Sequence, residues 1–315
     1  MEERVTDQLR KLTNSITLSG KLMRLSPMIT GTNKNGVDFL MFNGAIKCDP
    51  NVESQYVNFN VSANAKTAKG ADNKIYANMK KWYSTAVADE KDPGNGTMVC
   101  MSGTIEDNPY VNSEGTLVQG VRYRMSYINN FEKYGATINL EGFIASIYDE
   151  EIKRKGEEES VFTGRQCMRL ISKDYSNLID IRKIIIPAEL VEPMQANGYV
   201  QGATALFYIK LAYDSHNEGV AATGGIGDAA QHVAAFLRRE YVLTGANPVI
   251  DEDSERAIPK KLIEKAINER NARLETIVAE GYKGKKETAA IGVANQVSPI
   301  HEPILDDADD DDMPF

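Results

Sequence analysis

The stretch SITLSGKLMRL, from Ser15 to Leu25, determines the expected fold. Apolar and polar residues alternate along it, and Ile16, Leu18 and Leu22 fall on one side. This period of two is typical of a strand with one buried face. Gly20 lies in the middle of the stretch, and a glycine inside a strand allows the sharp bend that a small closed barrel requires. The stretch therefore predicts the first strand of a barrel.

Further strands are expected on the C-terminal side of this stretch, with turn residues between them. The same criteria predict strands over residues 37–46, 56–65, 74–83, 97–105 and 120–130. Residues 69–73 (KGADN) are typical of a hairpin tip, and residues 84–91 of a short helix or turn. About five strands with a glycine bend in the first match the five-stranded Greek-key barrel of the OB fold.

A second copy of this pattern follows the first. Residues 138–142 (INLEG) repeat residues 16–20 (ITLSG), and residues 198–202 (GYVQG) weakly repeat residues 99–103 (VCMSG). The remaining elements expected of an OB barrel are a buried strand, a helix that begins at a proline and a last strand, over residues 184–186, 187–197 and 240–249. The chain is therefore expected to be mainly β, with two tandem OB-fold domains.

A helix is predicted after the second barrel, over residues 259–280. Pro259 stands near its first turn and Gly281 follows its end. One side of this helix is an apolar stripe, formed by Ile258, Leu262, Ile263, Ala266, Ile267, Leu274, Ile277 and Val278. Such a stripe must be buried, either on the second barrel or against a partner chain.

Composition narrows the class of protein. The net charge is −9, but six aspartates between Asp306 and Asp312 contribute most of it, so the rest of the chain is only mildly acidic. No apolar run approaches the roughly 20 residues that span a bilayer, and the N-terminus has no apolar signal core. Cys48, Cys100 and Cys167 are far apart, which favours reduced packing residues over disulfides or zinc ligands. A cytoplasmic protein is expected.

No catalytic or cofactor site is indicated. Residues 225–230 (GIGDAA) match a dinucleotide fingerprint formally, but they follow no strand of a βαβ unit. They are expected in a loop over residues 214–231. His216, His232 and His301 have no spacing suited to a metal or a triad. The sequence thus predicts a protein that is not an enzyme and that has no metal and no cofactor.

The C-terminal ten residues, DDADDDDMPF from 306 to 315, combine a charge run with an apolar end. Like charges keep such a run solvated. A partner could take the phenyl ring of Phe315 in a pocket and its carboxylate on a basic residue. A plain solubility tail is the alternative, although such a tail has no need to end in Pro-Phe.

This ending resembles the tail of bacterial and phage single-stranded DNA-binding proteins. In that family the tip docks replication, recombination and repair enzymes. The resemblance implies a partner-binding tip made of Asp309, Asp310, Asp311, Asp312, Met313, Pro314 and Phe315.

The resemblance extends into the body of the chain. Residues 17–22 (TLSGKL) look like the first strand of that family, and residues 102–115 look like its fourth strand and following turn. The spacing from Gly103 through Tyr110 to Gly115 is preserved, which implies that Tyr110 stacks on a base. Two features depart from the family: residues 60–66 contain no aromatic, and residues 25–55 contain an insertion.

Trp82 and Tyr76 fall where the family carries two further stacking aromatics. On the predicted strand 74–83, these two residues share one face with Asn78 and Lys80. Flat rings beside amines are suited to single-strand binding, although a lone tryptophan more often belongs to a core. Phosphate contacts are expected from Lys66, Lys69, Lys80, Lys81, Arg122 and Arg124.

The predicted function is a sequence-independent coat for single-stranded DNA that recruits partner enzymes through its C-terminal tip. It would act in the cytoplasm, at the nucleoid or at phage replication sites, and it could form a homodimer. A recombination mediator that anneals strands, and an OB-fold adaptor that binds protein, remain alternatives. The expected segments are an N-terminal segment, the DNA-binding OB domain, the diverged OB domain, a helical segment, a linker and the tip, at residues 1–12, 13–134, 135–250, 251–281, 282–305 and 306–315.

Overall fold

The structure is a computed structural model. It describes residues 9–52, 56–129, 133–153, 160–173, 177–218, 234–251, 253–254 and 256–282. In chain order the elements are β1 (Asn14–Leu25), β2 (Ile29–Thr32), β3 (Asp38–Lys47), β4 (Val57–Asn64), α1 (Lys74–Tyr83), β5 (Met98–Val111), β6 (Leu117–Asn129), β7 (Gly135–Lys153), β8 (Ser160–Lys173), β9 (Leu178–Ile186), α2 (Ala188–Ala196), β10 (Thr204–Glu218), β11 (Ala234–Ala246) and α3 (Lys260–Glu280). Among the described residues, no helix has the length and apolar character needed to cross a membrane.

The first barrel closes around five strands. β3 pairs antiparallel with β1 and with β4, while β5 pairs antiparallel with β1 and with β6. A parallel contact between Asn60 of β4 and Arg124 of β6 completes the circle. α1 lies between the third and fourth of these strands in the sequence. This order is that of an OB fold, and β2 is an additional edge strand on β3.

The second barrel repeats the same order. β8 pairs antiparallel with β7 and with β9, and β10 pairs antiparallel with β7 and with β11. A parallel contact between Ile185 of β9 and Val242 of β11 closes it. α2 precedes β10, just as α1 precedes β5. The prediction of two tandem OB barrels is therefore confirmed.

The two barrels share one continuous sheet. β1 and β7 pair antiparallel from Asn14 and Leu140 to Ser19 and Gly135. A second link lies between β6 and β11, where the hydroxyl oxygens of Tyr123 and Tyr241 are 2.6 Å apart. The sequence pattern showed the repeat but not this lateral pairing.

Gly20 permits the change of partner along β1. On one edge, β1 pairs with β7 up to Ser19 and with β3 from Lys21 onward. A Cβ at position 20 would lie 1.9 Å from the carbonyl oxygen of Lys47, far inside van der Waals contact. The absence of a side chain therefore lets β3 approach at the point where β7 departs. The sequence predicted a bend at this glycine but not this close approach.

The predicted strand over residues 74–83 is wrong, because these residues form α1. Asn73 caps the helix: its side chain accepts a hydrogen bond from the Ile75 backbone nitrogen at 3.0 Å. Met79 is fully buried against the barrel. The alternation of polar and apolar residues in this short stretch also suits a short amphipathic helix, and the N-cap asparagine decides between the two structures.

Two details of the second barrel also differ from the prediction. Residues 198–202 lie in the connection between α2 and β10, so the strand that corresponds to β5 begins later, at Thr204. The loop expected over residues 214–231 is shorter, because β10 and β11 remain paired as far as Glu218 and Ala234. Residues 225–230, with the glycine fingerprint, and the histidines at 232 and 301 lie outside the described residues.

α3 packs across both barrels, close to the predicted limits of the helix. Ile263 lies in a small apolar cluster with Leu9, Leu12 and Ile258, and Leu274 is also buried. Arg270 is buried in the same stripe, where it contacts β5 and β9. The apolar stripe is therefore covered, wholly or in part, by the barrels and by the segment before β1, except at Val278, which is half exposed.

Candidate nucleic-acid interface

The outer face of the first barrel carries the best candidate site. Side chains that alternate with the core positions of β3, β4, β5 and β6 project away from the barrel interior. We define this outer face by Phe39, Met41, Asn43, Asn58, Asn60, Ser62, Asn64, Thr104, Glu106, Arg122, Arg124 and Tyr127. Most of these side chains are amides, hydroxyls or rings, and the charged ones are two arginines and one glutamate.

The two cations on β6 are held side by side. Arg122 and Arg124 are two residues apart on the same face of the strand, which places them about 7 Å from each other along it. Glu106, on the neighbouring β5, accepts a hydrogen bond from Arg122 Nε at 2.7 Å and one from Arg124 Nη1 at 3.2 Å. Arg124 Nη2 also donates to the carbonyl oxygen of Ser62 at 3.0 Å.

These contacts orient both guanidinium groups without burying them. The side chains of Arg122 and Arg124 remain 50% and 43% exposed, while that of Glu106 is only 11% exposed. One carboxylate against two guanidiniums leaves a net positive charge on this strip. A pre-oriented pair of this kind is suited to phosphate oxygens, because the guanidinium fork matches their geometry.

Two rings lie on the same outer face as the arginine pair, one exposed and one partly buried. Tyr127 of β6 is 59% exposed and follows Arg124 on the same face. Phe39 of β3 lies against Gly31 of β2, where an added Cβ would meet the ring at 3.1 Å. Neither ring was singled out in the sequence. Alternation from Arg122 and Arg124 would place Ser126 outward, and the β-bulge opposite Ser102 and Gly103 turns Tyr127 outward instead, so the sequence carried no signal for this ring.

Tyr110 lies near the far end of the same hairpin. It is 49% exposed, and the turn that follows contains Gly115 with a φ of 83°. Tyr110 pairs with Val118, whereas Tyr127 pairs with Ser102. The two tyrosines therefore mark opposite ends of the β5–β6 ladder, with the arginine pair between them.

The structure does not bring Tyr76 and Trp82 onto one face. On α1 they are six residues apart, which separates them around the helix axis. Tyr76 instead lies one turn from Lys80, whose Nζ is 5.7 Å from the ring centroid. The Trp82 ring stacks on Phe42, with centroids 6.0 Å apart and planes 25° apart. Trp82 is thus partly buried and packs against the core, which was the alternative interpretation of this tryptophan.

The predicted lysines divide into two groups. Lys66 and Lys69 lie in the turn before α1, where Lys66 Nζ is 2.6 Å from Asp72 Oδ1, and this hydrogen bond lowers the pKa of Asp72. Lys80 and Lys81 are exposed in the last turn of α1. Of these four lysines, only Lys66 lies beside Arg124, in a shallow surface groove that both residues line. The Asp309–Phe315 tip lies outside the described residues.

On the second barrel, Arg165 and Arg169 are paired with buried acids. Arg165 of β8 donates to Glu150 at 2.5 Å and to Glu240 at 2.9 Å. Burial of Glu150 opposes its ionisation, but hydrogen bonds from Arg165, Lys183 and Thr163 outweigh burial and lower its pKa to about 2. Arg169 is bound by Asp180 at 2.8 Å. Because their charges are already neutralised, these groups are less suited to binding phosphates than the arginine pair on β6.

Comparison with known proteins gives a matching family and similar solved structures. The family model described as YorF matches residues 13–280. The wild-type single-stranded DNA binding protein from Thermus aquaticus is 14% identical, with a TM-score of 0.45, over 78% of this chain and 97% of that chain. A deletion mutant of the same Thermus aquaticus protein is 14% identical, with a TM-score of 0.40, over 78% of this chain and 99% of that chain. No curated protein matches the chain.

Proposed function

This chain belongs to the YorF family, and we propose from its own structure that it binds single-stranded DNA on the outer face of its first barrel. The observation that carries the proposal is the row on β6, in which Glu106 orients Arg122 and Arg124 beside the exposed ring of Tyr127. Cations along a strand bind the phosphates, and a base of any kind can stack on the face of an aromatic ring.

The fold supports this location. OB barrels bind oligonucleotides on the outer face of their second and third strands and in the adjoining loops. In the first barrel those strands are β3 and β4, which contribute Phe39 and the row of asparagines. Because fold alone does not establish function, the proposal depends on the side chains that project from these strands.

The acidity of the whole chain does not oppose this binding. Most of the net charge of −9 belongs to the C-terminal aspartates, so the outer face can be locally positive. We propose that the chain acts by binding and not by catalysis, and that its Asp309–Phe315 tip recruits replication, recombination or repair enzymes to the coated strand. The charge run would steer these encounters.

The direct test is fluorescence anisotropy of a labelled oligothymidine, titrated with the full chain at several salt concentrations. We expect binding to the single strand and much weaker binding to a matched duplex. The double variant Arg122→Ala, Arg124→Ala should bind at least about tenfold more weakly. Its salt slope, log Kobs against log salt, should become shallower by about 0.7 for each phosphate that the variant no longer neutralises.

The matched control removes two exposed lysines elsewhere. Lys210 lies on β10 and Lys260 on α3, and the variant Lys210→Ala, Lys260→Ala changes the net charge by the same amount. Affinity close to that of the unaltered chain is expected. Equal weakening by both variants would contradict a local site, and no single-strand binding at low salt would favour an adaptor that binds protein.

A further inference from the structure

The positions on β6 of the first barrel have equivalents on β11 of the second barrel. The point of barrel closure aligns the two strands, because Arg124 pairs there with β4 and Val242 pairs there with β9. On both strands the extra residue of a β-bulge lies two positions after this point. The alignment makes Tyr123 and Tyr241 equivalent, and these are the two residues whose hydroxyl groups meet between the barrels.

The second barrel keeps an aromatic ring at this location. In the first barrel, Tyr127 of β6 faces Ser102 of β5 across the ladder. The equivalent pair in the second barrel is Gly245 of β11 and Tyr208 of β10. The ring is therefore on the neighbouring strand but at the same level of the ladder, and Tyr208 is exposed. A surface on which a base can stack is thus present in both barrels.

The charge at this location differs between the barrels. The alignment places Glu240 at the position of Arg122. It places Val242 at the position of Arg124. Both residues of β11 project away from the core, because they alternate along the strand with the buried Leu243. Where the first barrel presents two guanidinium groups, the second barrel therefore presents a carboxylate and an apolar side chain.

The carboxylate of Glu240 completes a neutral network with three other side chains. Arg165 donates from Nη1 and Nη2 to the two Glu240 oxygens, at 2.9 and 3.0 Å. Glu150 accepts hydrogen bonds from Arg165 and from Lys183. Among the described residues, this network therefore contains two cations and two carboxylates. The strip on β6 contains two cations and one carboxylate, which leaves it positive.

A phosphate on this face would have to compete with Glu240 for Arg165. Glu240 is buried, and a buried carboxylate that loses its cationic partner carries a large desolvation cost. The bidentate geometry of the pair adds to this barrier. Lys210 is an exposed cation opposite Val242, but a single flexible ammonium meets a phosphate only as a point charge, without the fork of an oriented guanidinium.

We propose that Glu240 excludes single-stranded DNA from the second barrel, so that each chain binds one segment of the strand, on the first barrel. The inference rests on the proposed DNA binding and adds its stoichiometry and the residue that determines it. Neutralising Glu240 would leave the network with two cations and one carboxylate, beside the ring of Tyr208. That is the composition of the strip on β6, so the variant should acquire a second site.

Isothermal titration calorimetry at low salt tests this with an oligothymidine of about eight nucleotides, a length that one OB fold can hold. The full chain should bind about one oligomer per chain. Glu240→Gln keeps an oxygen that can accept from Arg165 but removes the charge, and its stoichiometry should rise toward about two. Glu189→Gln changes the net charge equally at an exposed position of α2 in the same barrel, and its stoichiometry should stay at about one.

A second variant keeps the test decisive if Glu240→Gln lowers the circular dichroism melting temperature. Val242→Arg leaves the network intact and places a cation at the position equivalent to Arg124, so it should also bind a second oligomer. Two oligomers on the unaltered chain, or one oligomer on both folded variants, would overturn this inference and leave DNA binding by the first barrel in place. No binding by the unaltered chain would overturn the proposed function itself.

Discussion

At the scale of single residues, one of the tightest positions in the described part of the chain is a glycine and not a side chain. Gly20 stands where β1 exchanges β7 for β3, and the Lys47 carbonyl occupies the space that a Cβ would need. The sequence identified this residue because a glycine is conspicuous inside an alternating strand. It could not show which backbone approaches there, since that contact joins residues far apart in the chain.

The variant Gly20→Ala should lower the free energy of unfolding by more than about 3 kcal/mol, because a 1.9 Å contact with backbone forces β1 and β3 apart. Urea denaturation followed by circular dichroism measures this decrease. Gly120→Ala on β6 is the control, since its added Cβ meets nothing within 4 Å. A Gly20→Ala protein as stable as this control would disprove the close approach.

At the scale of elements, the sequence pattern predicted helix α3 but did not predict the burial of one of its residues. The helix and its apolar stripe were predictable from spacing and from Pro259 and Gly281. Arg270 was not, because a charged residue is ordinarily placed on the solvent side of such a helix. Its burial depends on acids from two distant strands: it lies 3.1 Å from Asp107 of β5 and 3.5 Å from Asp180 of β9.

Removing this arginine should destabilise the protein strongly. Arg270→Ala leaves two buried carboxylates with fewer cations around them, and breaking a buried ion pair in this way costs about 3–5 kcal/mol. The urea midpoint should fall accordingly. Lys261→Ala, which removes an exposed cation from the same helix, should change it little. A small decrease in Arg270→Ala would mean that α3 is not held by these ion pairs.

The residues of the candidate site also divide into those that the sequence predicted and those that it did not. Arg122 and Arg124 were predictable as cations on a strand, and Tyr110 from its spacing to two glycines. The expectation that Tyr76 and Trp82 share one strand face was wrong, because these residues form α1. The asparagines of β4 were noted in the sequence only as a segment without aromatics, because the outer face that they share with β3 forms only when the barrel closes.

At the scale of the whole molecule, several contacts among the described residues hold the barrels together. They include the β1–β7 ladder, the hydroxyl contact between Tyr123 and Tyr241, and the ion pairs of α3. Each of these joins residues that are about 90 or more positions apart in the sequence. Local periodicity carries no information on such contacts, so the number of barrels was predictable and their arrangement was not.

We therefore expect both barrels to unfold in one transition. Trp82 is the only tryptophan of the chain and packs in the first barrel, so its fluorescence reports on that barrel alone. Far-ultraviolet circular dichroism reports on both. The two signals should give the same urea midpoint. An early fluorescence transition, with a second one seen only by circular dichroism, would show that the barrels unfold independently.

The ladder between β1 and β7 also governs how this protein responds to dilution. Two separate barrels joined by such an edge would fall apart once their concentration dropped below their dissociation constant. Here both edges belong to one polypeptide, so the pairing is intramolecular and does not depend on concentration. A single chain therefore places its two barrels side by side without a second copy.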